Sequence, residues 1–219
     1  MDDVVVRITR TIANPERLQI LSYLIAEGEK SPTDISHDLH IAPNALSGHL
    51  AKLATAGLIK RRRSGGWSYC VAESPYAEST LSGMMLAWLR AVLRKPAETL
   101  HHCGLHEVRN GSAKEAQTAL HKLIFEAATA FTDLRRLQIL RYLARRGQAS
   151  AEQLKNDLSM SLWAVSRHTA KLIRRGYLTS AAAGEPILYR LAAKFKTPIH
   201  AKLFEIVRST WVEKPLRTS

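Results

Sequence analysis

The sequence predicts a mainly α fold with small β wings, built as two tandem copies of one helical unit. Three observations carry that expectation. Apolar residues recur at three- and four-residue spacing through most of the chain, the period of an amphipathic helix. Arg17 to Ile59 aligns without a gap on Arg136 to Leu178 at a constant shift of 119 residues, the offset of Arg136 from Arg17, and self-similarity at a fixed period marks an internal duplication. Each copy is followed by short runs of β-prone residues around a glycine turn, which signals a hairpin.

Taken in order, Val4, Val5, Ile8 and Ile12 form an apolar stripe on a first helix that has little else to bury, so it is expected to dock on another element. Asn14-Pro15-Glu16 ends that helix and starts the second, with Asn14 as N-cap and Pro15 at the first helical position, where its missing N–H costs nothing. The second helix turns Leu18, Ile20, Leu21, Leu24 and Ile25 inward and stops near Gly28. Ser31-Pro32-Thr33-Asp34 repeats the cap pattern for a short third helix carrying Ile35 and Leu39; after a tight turn through His40-Ile41-Ala42, Pro43 begins the fourth. A short helix, a three- or four-residue turn and a second helix is helix-turn-helix spacing. Leu58 and Ile59 open an extended segment that continues through Lys60-Arg61-Arg62-Arg63, turns at Ser64-Gly65-Gly66 and returns as Trp67 to Val71, a basic hairpin or wing. Leu81, Met84, Met85, Trp88, Leu89 and Val92 mark a fifth helix, and a Met and Trp stripe at this spacing is core or interface rather than a cofactor site.

Pro96 to Ser112 is polar and contains Gly104, Asn110 and Gly111, so an irregular linker is expected there, dividing the chain into domains 1–110 and 111–219. From Ala113 the pattern restarts. Ala116, Leu120, Leu123, Ile124 and Ala127 make a long helix, Asp133 takes the cap position of Asn14, and Ser150-Ala151-Glu152-Gln153 supplies a capping box. Leu158 to Leu178 repeats the turn and the fourth helix, with Val165, Thr169, Leu172 and Ile173 facing a core and Trp163, Ser166, Arg167, Ala170, Lys171 and Arg174 facing out. A second wing, Leu178 to Leu191, turns through Ala183-Gly184-Glu185-Pro186 without the basic run, and Phe195, Ile199, Leu203, Ile206 and Val207 form a closing helix.

The formal net charge is +13, from 32 Lys and Arg against 19 Asp and Glu. The excess is uneven. Residues 1–110 hold 13 basic and 11 acidic residues, whereas residues 111–219 hold 19 and 8, so the second half is expected to carry more of any affinity for phosphate. Two cysteines, Cys70 and Cys103, make no disulfide framework and suit a reducing compartment. Met1-Asp2-Asp3 does not open a signal peptide, and no apolar run approaches the roughly 18 residues of a membrane span. A cytoplasmic protein with no membrane partner is expected.

With Leu-Ser-Gly-His-Leu-Ala-Lys-Leu on the fourth helix and Ser-Arg-His-Thr-Ala-Lys-Leu in its copy, the chain resembles the ArsR/SmtB family of winged helix-turn-helix repressors. The resemblance covers Val4 to about Val92 and again Ala116 to about Val207. It implies a non-enzymatic transcription regulator, most simply a repressor, that binds double-stranded DNA. Family members usually pair as homodimers through their first and last helices. Two copies in one chain therefore suggest an intramolecular pseudo-dimer, a monomer that works as a pair, with a homodimer of chains also open. On this reading Asn44, Ser47, His49 and Lys52 in the first copy, and Trp163, Ser166, Arg167, His168, Lys171 and Arg174 in the second, contact the grooves, while Arg61, Arg62 and Arg63 contact the backbone. The reading heads differ, Gly48 standing where the copy has Arg167 and Asn44 where it has Trp163, so an asymmetric operator is expected.

No cofactor is implied. The thiolate pair common in metal-sensing members is absent, since Ser31, Pro32 and Thr33 occupy its place, with Ser150, Ala151 and Glu152 in the copy. His101, His102, Cys103 and His106, with Glu107, leave room for a metal-responsive repressor because their side chains would suit zinc, nickel or copper. A redox switch through Cys70 and Cys103 is weaker. The sequence also leaves open a protein-interaction scaffold and a sequence-indifferent architectural DNA binder.

Overall fold

The computed structural model describes residues 1–105, 112–181 and 186–211. The first part contains α1 (Asp2–Ile12), α2 (Pro15–Glu27), α3 (Pro32–Leu39), α4 (Pro43–Thr55), the hairpin β1 (Lys60–Ser64) and β2 (Trp67–Val71), α5 (Leu81–Leu93) and α6 (Pro96–His102). After it come α7 (Ala113–Ala128), α8 (Leu134–Arg146), β3 (Gln148–Ser150), α9 (Ala151–Asp157), α10 (Leu162–Arg174), β4 (Leu178–Ala181), β5 (Leu188–Leu191) and α11 (Pro198–Arg208). Among the described residues no helix is long and apolar enough to cross a membrane.

Local chemistry explains where these helices begin. Asn14 accepts from the Arg17 backbone N–H, and Asp133 from those of Arg135 and Arg136. Ser31 with Asp34, Ser112 with Glu115 and Ser150 with Gln153 form reciprocal capping boxes, which satisfy N–H groups that a helix start leaves open. Gly65 and Gly66, at φ 56° and 82°, make the two-residue turn that joins Ser64 to Trp67. Two consecutive positive φ values match the right-handed twist of a hairpin and favour glycine at both positions.

Many features recur at the 119-residue shift. Among the described residues His40 and Ser159, at φ 52° and 51°, are the non-glycine residues with positive φ, and each sits in the turn before the second helix of its helix-turn-helix, α4 or α10. In those turns the Ile41 N–H donates to the Ser36 carbonyl and the Met160 N–H to the Lys155 carbonyl. Tyr23 donates to Asp38, and Tyr142 to Asp157. The Arg17 side chain holds the carbonyl of Thr11 through Nε, and that of Arg136 holds Ala130. Lys30 bridges to Cys70 as Ala149 pairs with Tyr189, although only the second bridge extends into a three-stranded sheet of order β3-β5-β4.

One buried apolar cluster runs through both parts of the chain. Helix α1 packs on α7 and α8, α2 packs on α7, and α5 packs on α11. Thr9 Oγ1 sits 2.9 Å from the Phe131 carbonyl and Arg10 Nε donates to Thr132 at 2.8 Å, so the end of α1 is tied to the turn that precedes α8.

Several sequence expectations need correction. Pro96–His102 is a helix rather than irregular linker: Pro96 starts it, the Thr99 hydroxyl donates to the Val92 carbonyl, and Leu100 is buried. One buried residue in seven leaves no periodic stripe to read. The three-residue strand β3 was not expected, because it is too short to show alternation. On α1 the buried residues include Val6, Thr9 and Thr11, while Val4 is half-buried; on α5 Met84 and Val92 are likewise half-buried. Phe195 packs against the core from just before α11. The expected boundary between 110 and 111 and the turn residues Ala183, Gly184 and Glu185 lie outside the described residues.

Candidate nucleic-acid interface

The outward faces of α4 and α10 are built in the same way. Each helix follows a short one across a fixed turn, and each buries leucine or valine on one side: Leu46, Leu50 and Leu53 on α4, Val165 and Leu172 on α10. What remains faces out. Asn44, Ser47, Gly48 and Lys52 are exposed on α4; Trp163, Ser166, Arg167 and Arg174 are exposed on α10, with Lys171 half-buried. Trp163 is 70% exposed, and the Arg167 guanidinium lies 5.2 Å from its ring centroid. That stack restrains Arg167 to few rotamers while leaving its N–H donors free to face outward.

The two histidines do not belong to these faces. His168 is only 7% exposed, with Nδ1 3.9 Å from Asp133 Oδ1, so it sits behind α10 against the start of α8 rather than on the outward side. Burial lowers its pKa, opposed by Asp133, and the nearby Arg136, Arg135 and Arg167 lower it further. His49 is mostly buried and its Nε2 is 2.8 Å from Glu16 Oε2. The His49 imidazole thus faces the start of α2 from α4, and that of His168 faces the start of α8 from α10. The reason is registry: a helix turns 100° per residue, so His168, two places beyond Ser166, falls beside Val165 and Leu172.

On the wing, Lys60 to Arg63 are all exposed. Cross-strand partners share a face, and Arg61 pairs with the buried Cys70 while Arg63 pairs with Ser68. Arg61 and Arg63 are therefore on the side of α3 and α4, where Arg61 and Ser68 help line a cavity of about 240 Å³ with Ser47 and Leu50. Arg62 is on the opposite face and is already engaged, donating to Glu29 through Nε at 2.9 Å and through Nη2 at 2.5 Å. At the tip Trp67 is 66% exposed.

Residues 14–61 match the family described as bacterial regulatory protein, arsR family. The matched segment runs from the cap of α2 through the helix-turn-helix into β1. Sixty residues are 32% identical to the arsenic resistance transcriptional regulator ArsR1 of Pseudomonas putida, covering 27% of this chain and 47% of that protein. The chain thus spans about half the length of the curated relative it matches. No solved structure matches it.

Among the described residues no three histidine, cysteine or acidic side chains come together as a group that could hold a metal ion. His102 Nδ1 lies 2.8 Å from the Glu98 carbonyl, and the rings of His101 and His102 meet edge-on at 6.3 Å. His106 and Glu107 lie outside the described residues. Cys70 and Cys103 are free thiols, and burial pushes both pKa values up, away from the reactive thiolate form.

Sequence reasoning missed Arg136. It lies beside Arg167, Lys171 and Arg174 in one cleft and is fixed by bonds from Nε to the Ala130 carbonyl and from Nη2 to Thr132 Oγ1. The signal was present, since Arg136 stands 119 residues after Arg17 in the segment that aligns with it, but its position beside α10 depends on the packing of α8.

Proposed function

We propose that this chain is a sequence-specific DNA-binding transcriptional regulator whose two halves are winged helix-turn-helix units paired as an intramolecular pseudo-dimer. DNA binding is supported by the match of residues 14–61 to the arsR family, together with exposed cations and short polar groups on the outward faces of α4 and α10. Such groups reach phosphates and base edges when a helix lies in a major groove.

The observation that carries the pairing is a set of exchanged contacts. In an isologous interface residue i of one copy meets residue j of the other, and j meets i. Ser22 Oγ lies 2.7 Å from His121 Nε2, and Arg141 pairs with Asp2. His121 is Asp2 shifted by 119, and Arg141 is Ser22 shifted by 119. The helix contacts obey the same exchange: α2 on α7 mirrors α8 on α1, while α1 on α7 and α5 on α11 are each their own mirror.

The reading surfaces are α4 with Asn44, Ser47 and Lys52, and α10 with Trp163, Ser166, Arg167, Lys171 and Arg174. Arg61 and Arg63 lie on the backbone, with Arg62 available once Glu29 releases it. Because the two surfaces differ, the operator is asymmetric, and occupying it blocks a promoter. Half-sites about one helical turn apart, roughly 34 Å, suit such a pair. Selecting bound sequences from a random duplex pool, then competing them against bulk DNA at stated salt, tests the reading. Enrichment of two unlike half-motifs is the expected result. Undiscriminating binding, or none, overturns it.

A further inference from the structure

A cleft of about 690 Å³ opens between the turn joining α7 to α8 and the outward face of α10. Its walls carry Arg136, Arg167, Lys171 and Arg174 with Thr129 and Thr132, and none of its lining residues is acidic. Two carboxylates close in sequence to the cleft residues have partners outside it. Asp133 Oδ1 accepts from the backbone N–H groups of Arg135 and Arg136, and Glu126 lies 3.7 Å from Arg175.

The cations crowd one another. Burial lowers the pKa of Lys171, and Arg175, Arg174 and Arg136 lower it further. Burial likewise lowers that of Arg136, with Arg10, Arg167 and Arg175 adding to the effect against Asp133. The site is also built rather than floppy. Arg136 is pinned to Ala130 and Thr132, Arg167 lies over Trp163, and the turn itself is held from the other half by Thr9 and Arg10. At the corresponding first-half positions stand Arg17, Gly48, Lys52 and Thr55, two cations in place of four.

We propose that this cleft binds a phosphoryl group, supplied by a free phosphate-type anion or by a nucleic-acid backbone, and that the site occurs only in the second half. Guanidinium forks match the oxygen geometry of phosphate, and a dianion relieves the repulsion among cations whose cleft lining holds no carboxylate. The cleft has room for a phosphomonoester as well as for inorganic phosphate. The inference does not require sequence-specific DNA binding, since a free anion is sufficient to test it.

The intact protein in chloride buffer is titrated calorimetrically with inorganic phosphate and with glycerol phosphate, and melted at each concentration against sodium chloride of equal ionic strength. Saturable heat and a rise in Tm beyond the chloride control are expected. Replacing Lys171→Gln with Arg174→Gln weakens phosphate binding at least tenfold without lowering Tm in chloride, and Arg174→Gln alone, at an exposed position, gives a smaller loss of the same sign. Replacing Lys202→Gln on α11, a surface cation paired with Glu205, leaves phosphate binding unchanged. A phosphate response equal to that of chloride, or one indifferent to both Arg174→Gln variants, overturns the proposal even if DNA binding proves specific. Saturable phosphate binding without any preferred DNA sequence supports the cleft and counts against the proposed function. Where both hold, displacement of phosphate by duplex DNA assigns the site to the backbone, and coexistence assigns it to a free effector.

Discussion

Acidification will loosen this protein well above the range in which carboxylates titrate, because two histidines are folded in neutral form. His121, at the junction of α2 and α7, and His200, 1% exposed near the start of α11, both have pKa values of about 4. Burial is the leading cause in each case; at His200, Lys196 and Arg175 add to it and Glu126 opposes it. In the unfolded chain both return to about 6.5. A depressed histidine binds fewer protons folded than unfolded, so its contribution is fully present above 6.5 and is lost as pH falls from there toward 4. For each group this is at most about 1.4 kcal/mol at pH 5.5 and about 2.6 kcal/mol at pH 4.5. Together they remove about 3 kcal/mol at pH 5.5, a large share of the roughly 5–15 kcal/mol that holds a typical domain folded. Urea titrations at pH 7.5, 6.5, 5.5 and 5.0 measure it in a window where carboxylates with ordinary or lowered pKa remain ionised. His121→Gln should reduce the loss between pH 6.5 and 5.5 by at most about 1 kcal/mol, whatever its effect at pH 7.5, with His200 and the likewise lowered His168 carrying the rest. A stability that is level across that window, or an unchanged slope in His121→Gln, would refute the assignment of these imidazoles as neutral.

Further tests address the reading surfaces and the fold. Arg167→Ala should cost about 1–3 kcal/mol on a selected site and much less on random duplex if the guanidinium reads a base; fluorescence anisotropy with both DNAs measures the difference, and equal losses would remove Arg167 from base reading. Glu29→Gln should release Arg62 and tighten binding to all duplexes alike, steepening the log K against log salt plot by about one unit; an unchanged slope would mean that Arg62 has no access to phosphate. Gly83→Ala should destabilise by about 1–3 kcal/mol in urea, because its Cβ would stand 2.4 Å from the Ala77 carbonyl oxygen and 2.6 Å from Glu78 Cα, both backbone atoms. A neutral result would show that the segment before α5 can shift.

Most of the helices were legible because local chemistry marks them: a cap residue, an apolar period and a glycine stop. Asn14, Ser31, Asp133 and Ser150 were readable as caps from local sequence, and all four accept the expected backbone N–H. What stayed hidden were features that depend on contacts distant in sequence. α6 has a single buried leucine, and β3 exists only because β5 lies beside it. His49 and His168 show the converse: helix registry alone turns Ser-x-His away from the outward face, but the partners that occupy the imidazoles there, Glu16 at the start of α2 and Asp133 at the cap of α8, come from elements distant in sequence. Arg62 looked free beside two other arginines until the fold brought Glu29 to it.

The exchanged contacts also bear on which halves pair. Their geometry is symmetric but their chemistry is not, for one position joins Ser22 to a neutral His121 and its mirror joins Arg141 to Asp2. If first halves of two chains paired with each other, Asp2 would face Ser22 and lose its cation. If second halves did so, Arg141 would face His121, placing a guanidinium against an imidazole with no carboxylate between them. On the proposed pairing, only unlike halves satisfy both positions, so the asymmetry would work against the competing partners as well as for the intramolecular one. A tether then raises the correct encounter to an effective concentration of about millimolar. The free chain should therefore sediment at one mass over a wide concentration range. Exchanging the two contacts, with Ser22→Arg and His121→Asp, makes the positions identical in both halves and removes that discrimination. That variant should associate further as concentration rises, and one that stays at single-chain mass would show that the tether alone sets the pairing.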